Sequence, residues 1–141
     1  MVLNGLSVSH TWRGYGSAIF LELGKLRPPE RGGSNPRGEA HVMIEWSWRV
    51  EGPRSILGGS WSGERKITNV VAGLKGLRVT SIALEGRLPE ISIALTGKRW
   101  VHSFMMAEGQ PEWTVFLCDG SWLNVERGIL VHDRQNVGRA R

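Results

Sequence analysis

Residues 41–51 read HVMIEWSWRVE, and the reading of this stretch decides the fold. Val42, Ile44, Trp46, Trp48 and Val50 occupy every second position, and His41, Met43, Glu45, Ser47, Arg49 and Glu51 fill the positions between. Period two predicts an extended strand with one buried face, because successive side chains of a pleated chain leave on opposite sides. Gly52-Pro53 marks a turn. Residues 55–61 (SILGGSW) then read as the returning strand, with Gly58-Gly59 as a bulge or a close backbone approach.

Working outward, residues 14–26 (GYGSAIFLELGKL) predict a strand in which Ile19, Leu21 and Leu23 alternate against Phe20 and Glu22. Residues 27–38 (RPPERGGSNPRG) have no periodicity and predict an exposed loop. Ile67, Val70, Val71 and Leu74 share one face at helical spacing, with Ser62 as N-cap and Gly76 as stop. A helix this short needs a sheet to lie on. From Leu77 the chain predicts a meander of strands at 78–85, 91–95, 99–106, 113–118, 121–126 and 129–132. In the third residue set of that meander Trp100, Phe104 and Met106 share the apolar face with His102. The 113–118 strand is covered on both sides, and Asp119-Gly120 predicts a type I′ hairpin. The expected architecture is a single domain over 1–141 of the α+β class, mainly antiparallel. It is a strongly curved sheet or partly open barrel of about nine short strands with one helix packed on it.

The 141 residues are 40% hydrophobic and 22% charged, which excludes a wholly disordered chain. No apolar run is long enough for a transmembrane helix, and residues 1–10 show no charged-then-apolar leader. A single cysteine, Cys118, excludes an intramolecular disulfide and an all-cysteine zinc site, so the expected compartment is the cytoplasm. The net charge of +5 has a local origin. The 27–38 loop carries Arg27, Arg31 and Arg37 against Glu30, and the 134–141 tail, expected to be flexible, carries three arginines and no acid. Without these two segments the chain is neutral, so the basic charge belongs to a loop and a tail and not to a folded face.

Seven tryptophans stand against one tyrosine. Those inside strands (Trp46, Trp48, Trp100, Trp113, Trp122) suit a small β core, whereas Trp61, after Gly58-Gly59-Ser60, suits the mouth of a cleft where an indole stacks on a ligand or a partner. The four histidines show no metal-site spacing, so no metal or cofactor is expected. His102 reads as a hydrogen-bonded core histidine, or with Glu90 as lining of a ligand pocket inside the barrel. Cys118 ends an apolar strand away from any cation, which predicts a buried, inert thiol. The carboxylate pairs Glu45/Glu51 and Glu108/Glu112 suit acid/base work only if two face each other across a pocket, and Glu45 and Glu51, alternating with Arg49, read as cross-strand charge pairing. GYG at 14–16 and GGS at 58–60 lack the phosphate-loop pattern and serve as bends.

Five phrases, IEWSWRVE at 44–51, GGSWS at 58–62, GRLPEISIAL at 86–95, EGQPEW at 108–113 and DGSWL at 119–123, together resemble a family of small bacterial β-rich domains of unknown function over residues 15–133. The resemblance implies a bacterial, cytoplasmic domain, of the kind encoded near toxin and defence genes as immunity or accessory proteins. It brings no known active site, so no catalytic residue is carried over. The expected function is a non-enzymatic, protein-binding domain of the immunity or inhibitor type, contacting its partner through Trp61, Arg27, Arg31 and Arg37. The alternatives are nucleic-acid binding through the basic loop and tail, and a small-ligand binder or enzyme that uses His102 and Glu90.

Overall fold

The computed structural model describes residues 3–29, 31–45, 47–108 and 113–134, with the backbone alone for the last two. Among them are eleven strands and one helix. The strands are β1 (Val8–Arg13), β2 (Ile19–Leu23), β3 (Ala40–Ile44), β4 (Trp48–Glu51), β5 (Ile56–Gly59), β6 (Val79–Glu85), β7 (Glu90–Leu95), β8 (Arg99–Ser103), β9 (Trp113–Leu117), β10 (Ser121–Glu126) and β11 (Ile129–Arg134), and α1 (Glu64–Ala72) lies between β5 and β6. They form two antiparallel sheets, ordered β1-β2-β3-β9-β10-β11 and β5-β4-β8-β7-β6. The class is α+β and mostly β. The sheets do not close into a barrel.

The 41–51 stretch is two strands rather than one. β3 belongs to the six-stranded sheet and β4 to the five-stranded sheet, and between them Ser47 adopts φ 65°, the left-handed region. The alternation survives the break: Val42, Ile44, Trp48 and Val50 are all buried. Two strands that face one core from opposite sheets carry the same parity, so period two alone cannot locate a corner between them. Trp46 lies outside the described residues. β1 is the other strand the periodicity missed, since VSHTWR has few apolar positions and carries a register shift between Val8 and His10.

The expected meander is also divided. β6, β7 and β8 run side by side and β8 lies beside β4, but the chain then returns to the first sheet, where β9 pairs with β3 and leads into β10 and β11. The sheets are stitched a second time where the Val8 amide donates to Leu77 O (2.7 Å) and the Val79 amide to Leu6 O (2.9 Å). One apolar cluster joins Ile19, Leu21 and Val42 of the first sheet to Trp48, Ile93 and Val101 of the second. Its largest members, Trp48 and Trp113, donate their indole N–H to Ser17 O (2.7 Å) and Pro89 O (3.1 Å). A buried indole needs such an acceptor.

Helix α1 buries Ile67 and Val71 and packs on β1 and β5, while Val70 is only half-buried. Gly63, not Ser62, is its N-cap, and the Ser62 hydroxyl instead accepts the Gly59 amide (3.0 Å), closing the turn before the helix. The helix stops at Gly73, three residues before Gly76. In β8 the expected faces are exchanged. Val101 and Ser103 are buried, Trp100 and His102 point outward, and Met106 is exposed. Val101 stands opposite Ile93 and Val50, and this apolar cross-strand row sets which face is inside. At the β9–β10 turn only Gly120 has positive φ, so the hairpin is not type I′, and Cys118 there is exposed rather than buried.

Ser47 combines a left-handed backbone with a buried hydroxyl that has no hydrogen-bond partner among the described residues. A left-handed conformation costs a non-glycine residue about 1–2 kcal/mol, and most for a β-branched one. Urea midpoints should therefore rank Ser47→Gly above Ser47→Ala above Ser47→Val, across a range of about 2–3 kcal/mol.

Candidate functional site

The outer face of the six-stranded sheet contains a fully buried carboxylate. Glu22 alternates with Leu21 and Leu23 and so leaves β2 on the side away from the core, but it is 0% exposed. Its cover comes from neighbouring strands and from the loop after β2. The Trp12 indole donates to Oε2 (2.8 Å), His41 Nδ1 lies 2.5 Å from the same oxygen, and the Gly38 amide donates to Oε1 (3.1 Å). The loop passes so close to β2 that any side chain at position 38 would collide with the Leu23 backbone, so glycine is required there. Trp12 stacks on Phe20 at 3.7 Å between centroids, and His41 lies between Phe20 and Phe116. Burial pushes the Glu22 carboxyl up, but the bonds from His41 and Trp12, the His41 charge and the Gly38 amide outweigh it and hold the group below the usual carboxylate range.

A histidine oriented by a carboxylate has the arrangement of a general base. Among the described residues no hydroxyl or thiol is hydrogen-bonded to His41, so the triad of Trp12, Glu22 and His41 acts as a clamp that fastens the loop to the sheet. None of its members was singled out from the sequence. Trp12 lies in the strand that periodicity missed, and Glu22 sits at a position whose parity predicts solvent.

The arginine loop is exposed as expected, and its backbone is paired. Arg27 and Arg37 exchange amide hydrogen bonds of 2.7 and 3.1 Å, and Asn35 Oδ1 lies 3.0 Å from His10 Nε2. Among the described residues none of Arg27, Arg31 and Arg37 forms an ion pair. Glu30, Glu112 and residues 135–141 of the basic tail lie outside the described residues.

Trp61 is 75% exposed and Tyr15 is fully exposed. Both sit on turns bound to Trp48. The Trp48 indole donates to Ser17 O in the β1–β2 turn, while the Trp48 backbone amide donates to Ser60 Oγ (3.2 Å) and its carbonyl accepts the Ser60 amide (2.9 Å). Arg13 adds a second tie, from Gly16 O (3.3 Å) across to Glu64 (2.7 Å) and Thr68 (3.3 Å) of α1. A cleft of about 510 Å3 opens beside Tyr15, lined by Phe20, Met43 and Glu45.

His102 and Glu90 do not meet inside a barrel. The space between the sheets is filled by the apolar cluster, and His102 faces outward from β8, with Nε2 at 3.2 Å from Glu51 and Nδ1 at 4.0 Å from Glu85. Glu90 instead accepts the Ser103 hydroxyl (2.6 Å) and the Met105 amide (2.7 Å), fixing the chain as it leaves β8. Glu45 and Glu51 lie on opposite sides of the Ser47 corner and line different clefts. Among the described residues no group of three or more His, Cys, Asp or Glu side chains is placed to hold a metal ion. No helix there is long and apolar enough to cross a membrane. No family model matches the chain, and neither a curated protein nor a solved structure matches it.

Because the folded Glu22 carboxyl sits below its ordinary value of about 4.3, it contributes stability that is fully present above that pH and lost as the pH falls through the lower folded value. Glu22→Gln should cost about 2 kcal/mol at pH 7, where charge-assisted bonds are lost. The difference from wild type should shrink between pH 5 and pH 3, measured by urea denaturation at each pH.

Proposed function

We propose that this chain is a non-enzymatic, protein-binding domain of the bacterial immunity or accessory type, acting in the cytoplasm, and that it contacts its partner with the end of the molecule that carries Tyr15 and Trp61. One observation carries the reading: the two most exposed aromatic side chains among the described residues stand on turns held by the same buried residue, Trp48. Interface hot spots are enriched in tryptophan and tyrosine, and aromatics on pre-ordered turns lose little conformational entropy on binding. The apolar cleft beside Tyr15 offers a pocket for a partner's side chain. The single cysteine and the five resembling phrases support the cytoplasmic, bacterial setting. A stable complex would bury roughly 1,600 Å2 in total.

A second reading, contact with nucleic-acid phosphates, is favoured by the Arg27–Arg37 pairing, which sets two arginines opposite each other with no ion-pair partner among the described residues. It predicts affinity that falls steeply with salt, with a slope reduced by about 2–3 when Arg27, Arg31 and Arg37 are replaced together.

The two readings separate in one experiment. Tagged chain is recovered from its native host with and without nuclease, and the partner's affinity is measured for wild type and for Tyr15→Ala/Trp61→Ala. A stoichiometric protein that survives nuclease, and binds the double variant at least tenfold more weakly at unchanged melting temperature, supports the protein-binding reading. Unchanged affinity in the double variant overturns the assigned surface. Recovery of nucleic acid alone moves the assignment to the arginine loop.

A further inference from the structure

The outer face of the five-stranded sheet, where His102 stands between Glu51 and Glu85, contains a depression. Its floor consists of four small side chains in two cross-strand pairs, Ser81 opposite Ala94 and Ala83 opposite Ser92. On the next strand Trp100 stands opposite Ala94 and His102 opposite Ser92, so two large rings form a wall directly beside the small floor. The step in side-chain size across β6, β7 and β8 opens a cleft of about 440 Å3, within the range of small-molecule sites.

Its electrostatics oppose those of the chain. The chain carries +5, yet among the described residues no lysine or arginine lines the cleft, and two carboxylates do: Glu51 at the β4 end and Glu85 at the end of β6. Glu51 is engaged by Arg49 Nε (2.6 Å) and by His102 Nε2 (3.2 Å). Among the described residues Glu85 has only His102 Nδ1, at 4.0 Å, and keeps its carboxylate available. Ser92 lines the floor at 8% exposure, and its hydroxyl makes no hydrogen bond among the described residues. The hydroxyl is not sealed from water, so it opens on the cleft, where an N–H of a ligand can reach it.

We infer that this cleft binds a small organic cation, an alkylammonium or alkylguanidinium whose charged group pairs with Glu85 and whose alkyl chain runs along the floor toward Trp100, with the Ser92 hydroxyl accepting one of its N–H bonds. His102, Glu51 and Glu85 are not placed to hold a metal ion, so the charge that fits is an organic one. An aromatic wall and an open carboxylate lining one cleft suit the alkyl and charged ends of such a cation. The cation has two possible sources, a free amine or guanidine and the side chain of a lysine or arginine in a peptide. The inference is independent of the Tyr15–Trp61 surface, which lies on other elements.

The test is an NMR titration of the full chain that follows the Trp100 indole and His102 ring signals. The probes are n-butylammonium, n-butylguanidinium, the neutral isostere n-butylurea, and the capped tripeptide Gly-Arg-Gly. Saturable shifts are expected with at least one cationic butyl probe, and binding of butylurea at least tenfold weaker. Glu85→Gln, at an exposed position, should weaken the cation about tenfold, and Ala83→Phe should abolish binding by filling the floor. Tripeptide binding as tight as the butyl cation assigns the source to a peptide side chain, and much weaker binding assigns it to a free amine or guanidine. The proposal is overturned if no cationic probe saturates, if butylurea binds equally well, or if Glu85→Gln leaves the affinity unchanged. Should Ala83→Phe fail to fold, the isostere comparison and Glu85→Gln decide.

Discussion

The hydrogen bond from the buried Trp48 indole to the carbonyl of Ser17 ties one sheet to the other at the point where the chain passes between them. Trp48 is the first residue of β4, Ser17 lies in the turn that joins β1 to β2, and Ser60 closes on the Trp48 backbone from the far side of β5. Three segments distant in sequence are thus held by one residue. The indole brings a large apolar area into the core, and its single donor sets the direction from which the β1–β2 turn must approach. Removing the ring would leave a cavity costing about 3–5 kcal/mol and free a buried carbonyl.

The two sheets share a core and differ on their outer faces, and the difference follows from side-chain size. On the six-stranded sheet Trp12, Phe20, His41 and Phe116 are large enough to touch across strands, and they enclose Glu22 once the arginine loop is laid over it. That face spends its polarity internally, because every strong hydrogen bond of the carboxylate goes to the protein. On the five-stranded sheet serines and alanines on β6 and β7 leave the face open beside Trp100 and His102, and Glu85 and Ser92 there keep unused bonding capacity. A histidine beside carboxylates therefore has opposite meanings on the two faces. His41 completes a closed clamp, and His102 stands at the wall of an open cleft.

The exposed aromatics were legible in different degrees. Trp61 announced itself by following a Gly-Gly-Ser turn, a place from which an indole does not reach the core of its own strand. Tyr15 carried no such sign, because a tyrosine inside GYGSAIF reads equally well as the start of the next strand. Only the Gly14–Ala18 backbone pairing, which closes the hairpin there, places it on a turn tip.

Alternation of apolar residues determined from the sequence alone that the chain is mainly antiparallel β, that one helix follows β5, and that Val42, Ile44, Trp48 and Val50 face the core. These are local properties, since the pleat and the helical turn repeat every few residues. The tertiary structure decided which sheet each strand joined, which face of β8 was inside, and that Glu22 was buried. Each depends on partners brought from far along the chain: Val50 against Val101, Gly38 against Leu23, His41 against Glu22. A corner that preserves parity leaves no trace in a period of two, so the left-handed turn at Ser47 emerged only when the two sheets were seen to share one core.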